Sequence, residues 1–436
     1  MSRRPPARKP RGPSRSLPRT LELDIRSLGG RGDGIGRHQD EAVFVPGALP
    51  GERVAVQVDS RRGDGLAAAL LQVLTPSPDR QTPPCPHFGR CGGCALQHLA
   101  PEAYQTWKRG LLVEAMGRAG FEADLVAPLV AIAPGSRRRA TFAFAKRRKL
   151  LHLGFNGRAS HTLVDLDSCL LLAPPLLALL PALRALLEAV IEDGTEGDVA
   201  VTLTETGLDL LVEAEARLDL FDRERLAAFA EQQDLARLSW RRPGTGLTEP
   251  LARRRPPIVR FAGVGVELPP AAFLQPSAEG ERALSALVFD AVGGAAPVAD
   301  LFAGCGSFSF PLAQKAPVHA VEGDGAALAA LKAAAGHAGV RVSAEQRDLA
   351  RQPLLTEELA RYRAVVFDPP RAGAAAQAEQ LARSTVPLVV AVSCNPATLA
   401  RDARLLAQGG YRLRRATPVD QFPWSAHLEA VAVFTR

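Results

Sequence analysis

One cysteine near the C-terminus has the surroundings of a nucleophile. Cys394 follows the apolar, Val-rich segment 386–392, which predicts a buried strand, and Asn395-Pro396 then turns the chain away. In open α/β sheets, ligands bind outside the carboxyl ends of the strands. A thiol at such a position can act as a nucleophile once it is deprotonated. The alternative is that Cys394 is a small hydrophobic residue packed at the end of the strand.

A second group of cysteines has the composition of a metal site. Cys85, Cys91 and Cys94 have the spacing C-x5-C-x2-C, and Cys169 supplies a distant fourth thiol. Four thiolates suit an iron–sulfur cluster or a zinc ion, and the spacing does not select between them. Free thiols without a metal are the alternative. Six cysteines and the lack of an export signal indicate a reducing compartment, so we expect a cytoplasmic protein.

The C-terminal third predicts the sheet that would position Cys394. Strand-like segments alternate there with helical ones, which is typical of a doubly wound parallel α/β sheet. A glycine turn at 303–306 follows the first strand, and Glu322 ends the second, where an acid can hold the ribose of a cofactor that contains adenosine. The four strand-like segments are 298–302, 318–322, 340–342 and 364–368.

The positive charge of the chain is concentrated at its N-terminus. The 436 residues carry a net charge of +7, and the seven basic residues among the first 20, which include no acid, account for all of it. We predict that residues 1–19 form a disordered basic tail that attracts phosphates, or a solubilising extension with no specific role. The most apolar stretch, 170–190, is interrupted by three prolines and two charged residues, so we expect no membrane association.

Residues 20–75 predict a small β-barrel. Apolar residues alternate at 21–25 and 54–58, a short strand is expected at 42–45, and glycine and proline turns separate these segments. Barrels of the OB type bind oligonucleotides, and the stretch 34–52 resembles the TRAM domain of RNA-modifying enzymes. A barrel with a structural role alone is the alternative.

Residues 76–262 predict a central α+β domain that contains the clustered cysteines, with a helix at 101–119. Basic clusters at 137–139 and 146–149 bracket a strand, and a third cluster lies at 253–255. Such clusters can lay positive charge along a sheet edge for phosphates. Solvated turns are the alternative for each of them.

The motifs of the chain, considered together, resemble those of the RNA uracil-5 methyltransferases. The chain looks most like the branch that acts on large-subunit ribosomal RNA, because tRNA enzymes of the family typically lack both the barrel and the cysteine cluster. The resemblance implies a Rossmann-like, S-adenosylmethionine-dependent methyltransferase domain at 263–436, after the OB-like TRAM barrel and the central α+β domain. The motifs that carry it are Asp300–Gly306, Val321–Gly323, Asp368–Gly373, Ser393–Leu399 and Phe422–Glu429.

The resemblance also implies the cofactors and the residues that bind them. The expected cofactors are S-adenosylmethionine and a [4Fe–4S] cluster. Ser307 stands where the family usually has Asn. The residues expected to contact S-adenosylmethionine are Gln275, Phe302, Ser307, Glu322 and Asp348, with Asp368 lining the site. The residues expected to hold the cluster are Cys85, Cys91, Cys94 and Cys169.

The implied mechanism is covalent. Carbon 5 of uracil is a poor nucleophile, and addition of a thiolate to carbon 6 makes carbon 5 able to attack a methyl group. We assign the thiolate to Cys394 and the base that removes the carbon-5 proton to Glu429. The uracil must be flipped out of its stack, which is easiest in single-stranded or loop RNA. We expect a monomer.

Three alternative functions stay open at this stage. A tRNA uracil-5 methyltransferase would share the chemistry and differ in substrate. An amino-methyltransferase is compatible with Asp368-Pro369-Pro370, but it needs no thiol at Cys394. A non-catalytic RNA-binding protein built on a methyltransferase scaffold would need neither the thiol nor the glycine turn.

Overall fold

The computed structural model describes residues 20–158 and 160–436, which form two compact units. One unit contains the described residues up to 82 together with 98–100, and the other contains 83–97 and the residues from 101 onward. The predicted basic tail, 1–19, lies outside the described residues. No helix in the described ranges combines the length and the apolar character needed to span a bilayer.

The first unit, in its described part, is a six-stranded sheet around a small apolar core. Its strands are β1 Thr20–Asp24, β2 Ser27–Leu28, β3 Asp33–His38, β4 Glu41–Pro46, β5 Arg53–Arg62 and β6 Gly65–Thr75. Their order is β1-β5-β6-β4-β3-β2, and β4 runs parallel to β6. Val54, Val56 and Val58 are buried because successive side chains of a strand point to opposite faces. This confirms the small β-domain predicted near the N-terminus.

The second unit contains a mostly antiparallel sheet that two helices cover on one face. Its elements up to residue 267 are α1 Pro101–Arg118, a 3-10 helix Ala123–Leu125, β7 Val130–Ala131, β8 Arg139–Arg147, β9 Leu150–Asn156, β10 Leu163–Asp165, α2 Pro174–Val190, β11 Glu196–Thr204, β12 Gly207–Ala214, α3 Leu220–Gln232, β13 Arg237–Arg241, β14 Thr248–Arg253, β15 Ile258–Phe261 and β16 Val264–Glu267. The sheet order is β10-β9-β8-β11-β12-β13-β14. Phe142 and Phe144 of β8 pack with Leu183 of α2 and Phe229 of α3 in one buried core.

A parallel sheet with an antiparallel return completes the second unit. Its elements are α4 Ala278–Val292, β17 Val298–Leu301, α5 Ser309–Ala313, β18 Val318–Glu322, α6 Gly325–Ala338, β19 Val342–Gln346, α7 Thr356–Leu359, β20 Ala364–Phe367, α8 Ala375–Arg383, β21 Leu388–Ser393, α9 Pro396–Gln408, β22 Arg412–Asp420 and β23 Glu429–Thr435. The order is β19-β18-β17-β20-β21-β23-β22-β7, and β23 runs antiparallel to β21 and β22. The order reverses at β17, so a ligand crevice is expected at its carboxyl end. This confirms the predicted doubly wound sheet.

One strand of this sheet begins later than predicted. The sequence indicated a strand at 340–342, but β19 begins only at Val342. Gly339 has a left-handed backbone, and the Val340 N–H donates to the Ala335 carbonyl oxygen at 3.2 Å. The first two residues of the predicted strand therefore complete the C-terminal cap of α6.

The basic cluster 146–149 lies at a turn and a helix end. The Lys146 ammonium donates to the Glu188 and Ile191 carbonyl oxygens, at 2.6 and 2.8 Å, where α2 ends. Arg148 and Lys149 form the exposed turn between β8 and β9, with φ values of 53° and 66°. These contacts favour the solvated-turn alternative for this cluster.

The basic cluster 253–255 is neutralised by nearby acids. Arg253 pairs with Glu267 at 2.8 Å, and Arg254 and Arg255 pair with Asp234 at 2.5 and 2.8 Å. A guanidinium group that already has a carboxylate partner is less available to a phosphate. The contacts therefore favour a structural role here as well.

Candidate active site

Three parallel strands end at one edge of the sheet and bring three loops together. The glycine turn 303–306 follows β17, Asp368 follows β20 and Cys394 follows β21. Both β17 and β21 are neighbours of β20, and adjacent strands lie about 4.8 Å apart. Cys394 is therefore two strand spacings, about 10 Å, from the strand that leads into the glycine turn.

The antiparallel return of β23 brings Glu429 to Cys394. Ser393 in β21 is paired with Ala430 in β23, and the same register sets Cys394 beside Glu429. Asn395 caps the N-terminus of α9 with its side chain, so the chain turns immediately after the cysteine. The two residues predicted to be catalytic thus lie next to each other, although 34 intervening residues separate them in the sequence.

The loop after β20 is fixed against α9. The Asn395 Nδ2 donates to the Arg371 carbonyl oxygen at 3.1 Å. Gly373 has a φ of 79°, and a Cβ atom there would lie 2.4 Å from an Arg401 nitrogen and 2.8 Å from an Asp402 oxygen. Only glycine fits this position without a shift of its neighbours. The loop that carries Asp368 therefore has a defined place beside the cysteine.

The thiol and the two acids disfavour each other's charged forms. The pKa of the Cys394 thiol is raised to about 11, first by burial and then by the charges of Glu429 and Asp368. Burial raises the pKa of both acids, and Asp368 adds to the shift of Glu429. The Glu429 Oε2 has no hydrogen-bond partner within the described ranges. Because close buried acids do not readily ionise together, the site holds protons that a reaction can exchange.

A cavity of about 520 Å³ opens in front of Cys394. This volume lies within the roughly 300–1,000 Å³ of small-ligand sites. Arg137, Arg139 and Arg371 line the cavity, and none of them forms an ion pair with a carboxylate in the described part of the chain. The Arg139 Nε also lacks a hydrogen-bond partner there. Guanidinium groups without counterions beside a nucleophile are suited to bind the phosphates of a nucleic acid.

Two glutamines connect the acids of this cavity. The Gln275 Nε2 donates to an Asp368 carboxylate oxygen at 3.3 Å, and the Gln421 Nε2 donates to the Gln275 Oε1 at 2.6 Å. Burial raises the pKa of Glu429, and the Gln421 side chain opposes that shift. Gln275, which the resemblance assigns to the cofactor, therefore lies in the Cys394 cavity.

The glycine turn after β17 has the backbone geometry of a ligand-binding loop. Gly304 and Gly306 have φ values of 55° and 100°, and a Cβ on Gly306 would lie 2.5 Å from the Phe310 ring. Phe302 has a φ of 61°, which is uncommon for a residue other than glycine. The Glu322 carboxylate accepts from the Gly304 N–H at 2.8 Å. Two residues predicted to contact the cofactor, Phe302 and Glu322, thus meet at this turn.

The other two predicted cofactor residues lie further apart. Asp348 is on the loop after β19, where its carboxylate accepts from the Ala350 N–H at 3.1 Å. Ser307 lines a different cavity, of about 680 Å³, together with Arg138 and Phe289. The roles assigned to the cofactor residues stay predictions. Of the five, only Gln275 lines the Cys394 cavity as described.

The four cysteines predicted to bind metal surround one small space. Cys85, Cys91, Cys94 and Cys169 all line a cavity of about 30 Å³. The pKa of Cys94 is raised to about 12, first by burial, and the other three thiols add to the shift. Within the described ranges, no group of three or more His, Cys, Asp or Glu side chains is arranged to hold a metal ion. The fold brings the thiols together, and the cluster itself stays a prediction.

Two residues near the cavity have contacts that the sequence did not indicate. Gln421 donates to Gln275 and lowers the pKa of Glu429, and no local pattern marks it, because its place depends on the sheet register. Lys108 is fully buried in α1. Its position four residues after Tyr104, on the same helix face, was an available signal, since a lysine on an apolar face needs a buried partner.

Family models match an N-terminal and a C-terminal part of the chain. Residues 266–436 match the family model described as tRNA (Uracil-5-)-methyltransferase. Residues 17–69 match the TRAM domain. The first match contains Cys394, Asp368 and Glu429, and the second confirms the TRAM-type β-domain expected from the sequence.

Relatives match over nearly the whole chain. An uncharacterised RNA methyltransferase of Brucella melitensis is 48% identical over 96% of this chain and 98% of its own length. One of Caulobacter vibrioides is 43% identical over 95% of this chain and 100% of its own length. A 23S rRNA (uracil(1939)-C(5))-methyltransferase of Halomonas elongata is 39% identical over 94% of this chain and 88% of its own length. The chain belongs to the RNA uracil-5 methyltransferase family.

A solved structure has the same fold as this uracil-5 methyltransferase. The Pyrococcus abyssi tRNA (uracil-54, C5)-methyltransferase in complex with S-adenosyl-L-homocysteine matches with a TM-score of 0.74 and 21% identity, over 95% of this chain and 100% of that chain. The predicted fold class and enzyme class are confirmed. Family membership also supports S-adenosylmethionine as the methyl donor and RNA as the substrate. It argues against an amino-methyltransferase and against a non-catalytic RNA-binding protein.

Proposed function

We propose that this uracil-5 methyltransferase modifies a uridine of 23S ribosomal RNA. The name of the Halomonas relative, 39% identical over 94% of this chain, supports this substrate, and the TRAM match at 17–69 supports an RNA substrate in general. The observation that carries the chemistry is the cavity in which Cys394 and Glu429 lie side by side. Transfer RNA is the second candidate, because the matching family model is described as a tRNA enzyme.

Cys394 is the nucleophile of the proposed mechanism. Its thiolate forms a bond to carbon 6 of the flipped uracil, and the displaced electron pair makes carbon 5 electron-rich. S-adenosylmethionine, when bound, supplies the methyl group that carbon 5 takes. Burial raises the pKa of this thiol, and Arg371 acts in the opposite direction, so Arg371 is the residue that favours the thiolate.

Glu429 is the base that completes the reaction. It removes the proton from carbon 5, the electron pair returns to the ring, and the bond between carbon 6 and the Cys394 sulfur breaks. A carboxylate whose pKa is raised by burial is a stronger base than an exposed one. Burial also raises the pKa of Asp368, and in its protonated form this residue can donate a hydrogen bond to the uracil edge.

The cavity arginines position the RNA in this proposal. Arg137, Arg139 and Arg371 would contact the phosphates on either side of the flipped nucleotide. Phosphate contacts fix the place of the substrate without reading its sequence. The lack of carboxylate partners for these three groups, in the described part of the chain, supports the assignment.

S-adenosylmethionine would lie at the carboxyl edge of the parallel sheet. The turn at Gly304 and Gly306 supports this place, since its backbone has no side chain that blocks a close approach. Glu322 at the end of β18 would hold the ribose hydroxyl groups. The full set assigned to the cofactor is Gln275, Phe302, Ser307, Glu322 and Asp348, with Asp368 lining the site.

We assign a [4Fe–4S] cluster to the four clustered cysteines. Cys85, Cys91, Cys94 and Cys169 line one cavity, whose described lining contains no carboxylate, and such a donor set suits iron–sulfur or zinc. A structural role is favoured because methyl transfer moves no net electrons. Anaerobic purification followed by iron and sulfide analysis should give a coloured protein that contains both. A colourless protein that contains zinc would contradict the assignment.

The proposed organisation keeps the boundaries predicted from the sequence. Its support is that β1 to β6 all lie between residues 20 and 75. The monomeric state and the cytoplasmic location stay predictions. The segments are a basic tail at 1–19, the TRAM barrel at 20–75, the central domain with the cysteines at 76–262 and the methyltransferase domain at 263–436.

Methylation of matched transcripts tests the substrate. The purified protein is given methyl-labelled S-adenosylmethionine with a 23S rRNA transcript or a pool of tRNA transcripts, and Cys394→Ala is the control. We expect 5-methyluridine in the 23S transcript, and mass spectrometry of nuclease fragments locates it. Label confined to tRNA would contradict the ribosomal substrate. Label on an exocyclic nitrogen would contradict the chemistry.

A further inference from the structure

A buried lysine lies behind the wall of the catalytic cavity. The Lys108 side chain is 0% exposed, and its ammonium lies 2.8 Å from the Asp420 carboxylate, whose side chain is 3% exposed. It also donates to the Phe422 and Ser425 carbonyl oxygens, at 3.1 and 2.7 Å. Burial of an ammonium group is costly unless it is paired and fully hydrogen-bonded. Here three of its partners belong to residues 420–425.

Tyr104 extends this network along the same segment. Its hydroxyl donates to an Asp420 carboxylate oxygen at 2.6 Å and accepts from the Trp424 N–H at 2.8 Å. The Lys108 ammonium reaches the same hydroxyl at 3.1 Å. Two residues one turn apart on α1 therefore hold a carboxylate, two carbonyl groups and one N–H of the segment.

The segment is also held from the side of the clustered cysteines. Trp424 has a φ of 57°, a conformation that costs free energy for a bulky residue and persists only when its surroundings impose it. Its carbonyl oxygen accepts from the Ala95 and Leu96 N–H groups, at 2.7 and 3.1 Å. These are the first two residues after Cys94. The turn at 422–425 is thus fixed by hydrogen-bond donors from α1 and from residues 95–96.

This turn forms part of the catalytic cavity and leads into the proposed base. Phe422, Ser425 and His427 line the cavity of Cys394. Leu428 is fully buried, and Glu429 is then the first residue of β23. The position of the Glu429 carboxylate therefore depends on where the turn is held. A displacement of about 1 Å in a catalytic group can lower a rate by about 100-fold.

We propose that Lys108, acting through Tyr104 and Asp420, is a positioning residue for Glu429 and for the wall that faces the uracil. The inference rests on the proposed function. Packing alone does not call for a charge here, because a buried ion pair can often be replaced by apolar residues without loss of stability. The ammonium is used instead to hold main-chain carbonyl groups of a catalytic turn.

The test measures which step of the reaction slows down. If Glu429 is misplaced, the step that releases Cys394 slows more than the step that forms the adduct, so a covalent protein–RNA species accumulates. Lys108→Met should lower kcat by about 100-fold. Tyr104→Phe, which removes one hydroxyl and is the milder change, should lower it by about tenfold. Both should give a shifted band on a denaturing gel when RNA and S-adenosylmethionine are present.

Arg237→Met is the matched control for loss of a buried ion pair. Arg237 pairs with Asp209 at 2.7 Å, with side chains 7% and 6% exposed, and neither residue lines the Cys394 cavity. This variant should lose stability without accumulating the adduct. If Lys108→Met does not fold, Tyr104→Phe is used to test the inference.

Two outcomes would overturn the inference, and only the second would also contradict the proposed mechanism. If Glu429→Gln forms the adduct but Tyr104→Phe and Lys108→Met behave like Arg237→Met, the positioning role is wrong and the proposed function stands. If Glu429→Gln forms no adduct, the proposed mechanism fails and the inference fails with it.

Discussion

Two pairs of ionisable residues in the second unit have opposite arrangements. Asp209 and Arg237 lie on neighbouring strands, β12 and β13, and hydrogen bonds of 2.8 and 2.7 Å join them. Asp368 and Glu429 lie at the ends of β20 and β23, and neither forms an ion pair within the described ranges. The first pair combines an acid with a cation. The second sets one acid beside another.

The difference separates a structural site from a reactive one. Burial raises the pKa of Asp209, and the hydrogen bonds and charge of Arg237 oppose that shift. No ion pair within the described ranges opposes the burial of Asp368, which raises its pKa, and the charge of Asp368 raises the pKa of Glu429 in turn. Unpaired buried acids cost stability, and they are typical of sites where a proton is transferred.

The largest effect on the reaction is expected from the nucleophile of the unpaired site. Cys394→Ala removes the thiolate and leaves the fold around it, so we expect methyl transfer to fall by at least about 10⁴-fold. RNA affinity and the thermal unfolding midpoint should stay close to those of the wild type. Label incorporation and gel-shift titration measure the two quantities. Turnover within tenfold of the wild-type rate would contradict a covalent mechanism.

The paired site should show the reverse pattern. Arg237→Met leaves the Asp209 carboxylate buried without its partner, and we expect the free energy of unfolding to fall by about 3–5 kcal/mol. The rate per folded molecule should not change, because the pair does not line the catalytic cavity. Chemical denaturation and single-turnover kinetics at low temperature check this. A loss of rate comparable to that of Cys394→Ala would contradict a purely structural role for the Asp209–Arg237 pair.

A smaller effect is expected from an unpaired arginine of the cavity. Arg139→Ala removes a guanidinium group whose Nε has no partner in the described part of the chain, so RNA affinity should fall by about tenfold. The slope of log Kd against log salt concentration should decrease by about 1. Arg253→Ala is the control, because Arg253 already pairs with Glu267 at 2.8 Å. Equal losses of affinity in both variants would refute a phosphate contact by Arg139.

The smallest effect is expected in the dependence of the reaction rate on pH. Glu429 must be ionised to accept the carbon-5 proton, and burial and Asp368 raise its pKa, so the active fraction increases as pH rises above neutrality. Cys394 has a raised pKa and acts in the same direction. The single-turnover rate should rise severalfold between about pH 7 and pH 8.5. In Asp368→Asn, which removes one of the charges, the rise should move to lower pH. A rate that falls over this range would contradict the assignment of the base.

The local parts of this site could be predicted from the sequence. A Val-rich strand that ends in Cys394 and a glycine turn after another strand are short patterns, and their periodicity and turn residues determine them. The parallel direction of β17, β20 and β21 follows from the alternation of strands and helices. The predicted sheet and the position of Cys394 at its carboxyl edge therefore agree with the structure.

Contacts between distant segments could not be predicted in this way. Glu429 reaches Cys394 only because β23 returns antiparallel to β21, and its role as base came from the family resemblance. Lys108 and Asp420 lie on elements 312 residues apart, and no periodic pattern records their contact. The basic clusters show the same limit, since composition does not reveal that the arginines at 253–255 have acidic partners.

The direct test of the covalent mechanism is the fate of the RNA in Glu429→Gln. This variant keeps Cys394 but lacks the base, so incubation with S-adenosylmethionine and the 23S transcript should trap a denaturation-resistant protein–RNA adduct. Peptide mapping by mass spectrometry should place the link on Cys394, and the attached uridine should carry one added methyl group. If Glu429→Gln binds both ligands and yields no adduct, or if the link lies on another residue, the proposed roles of Cys394 and Glu429 are wrong.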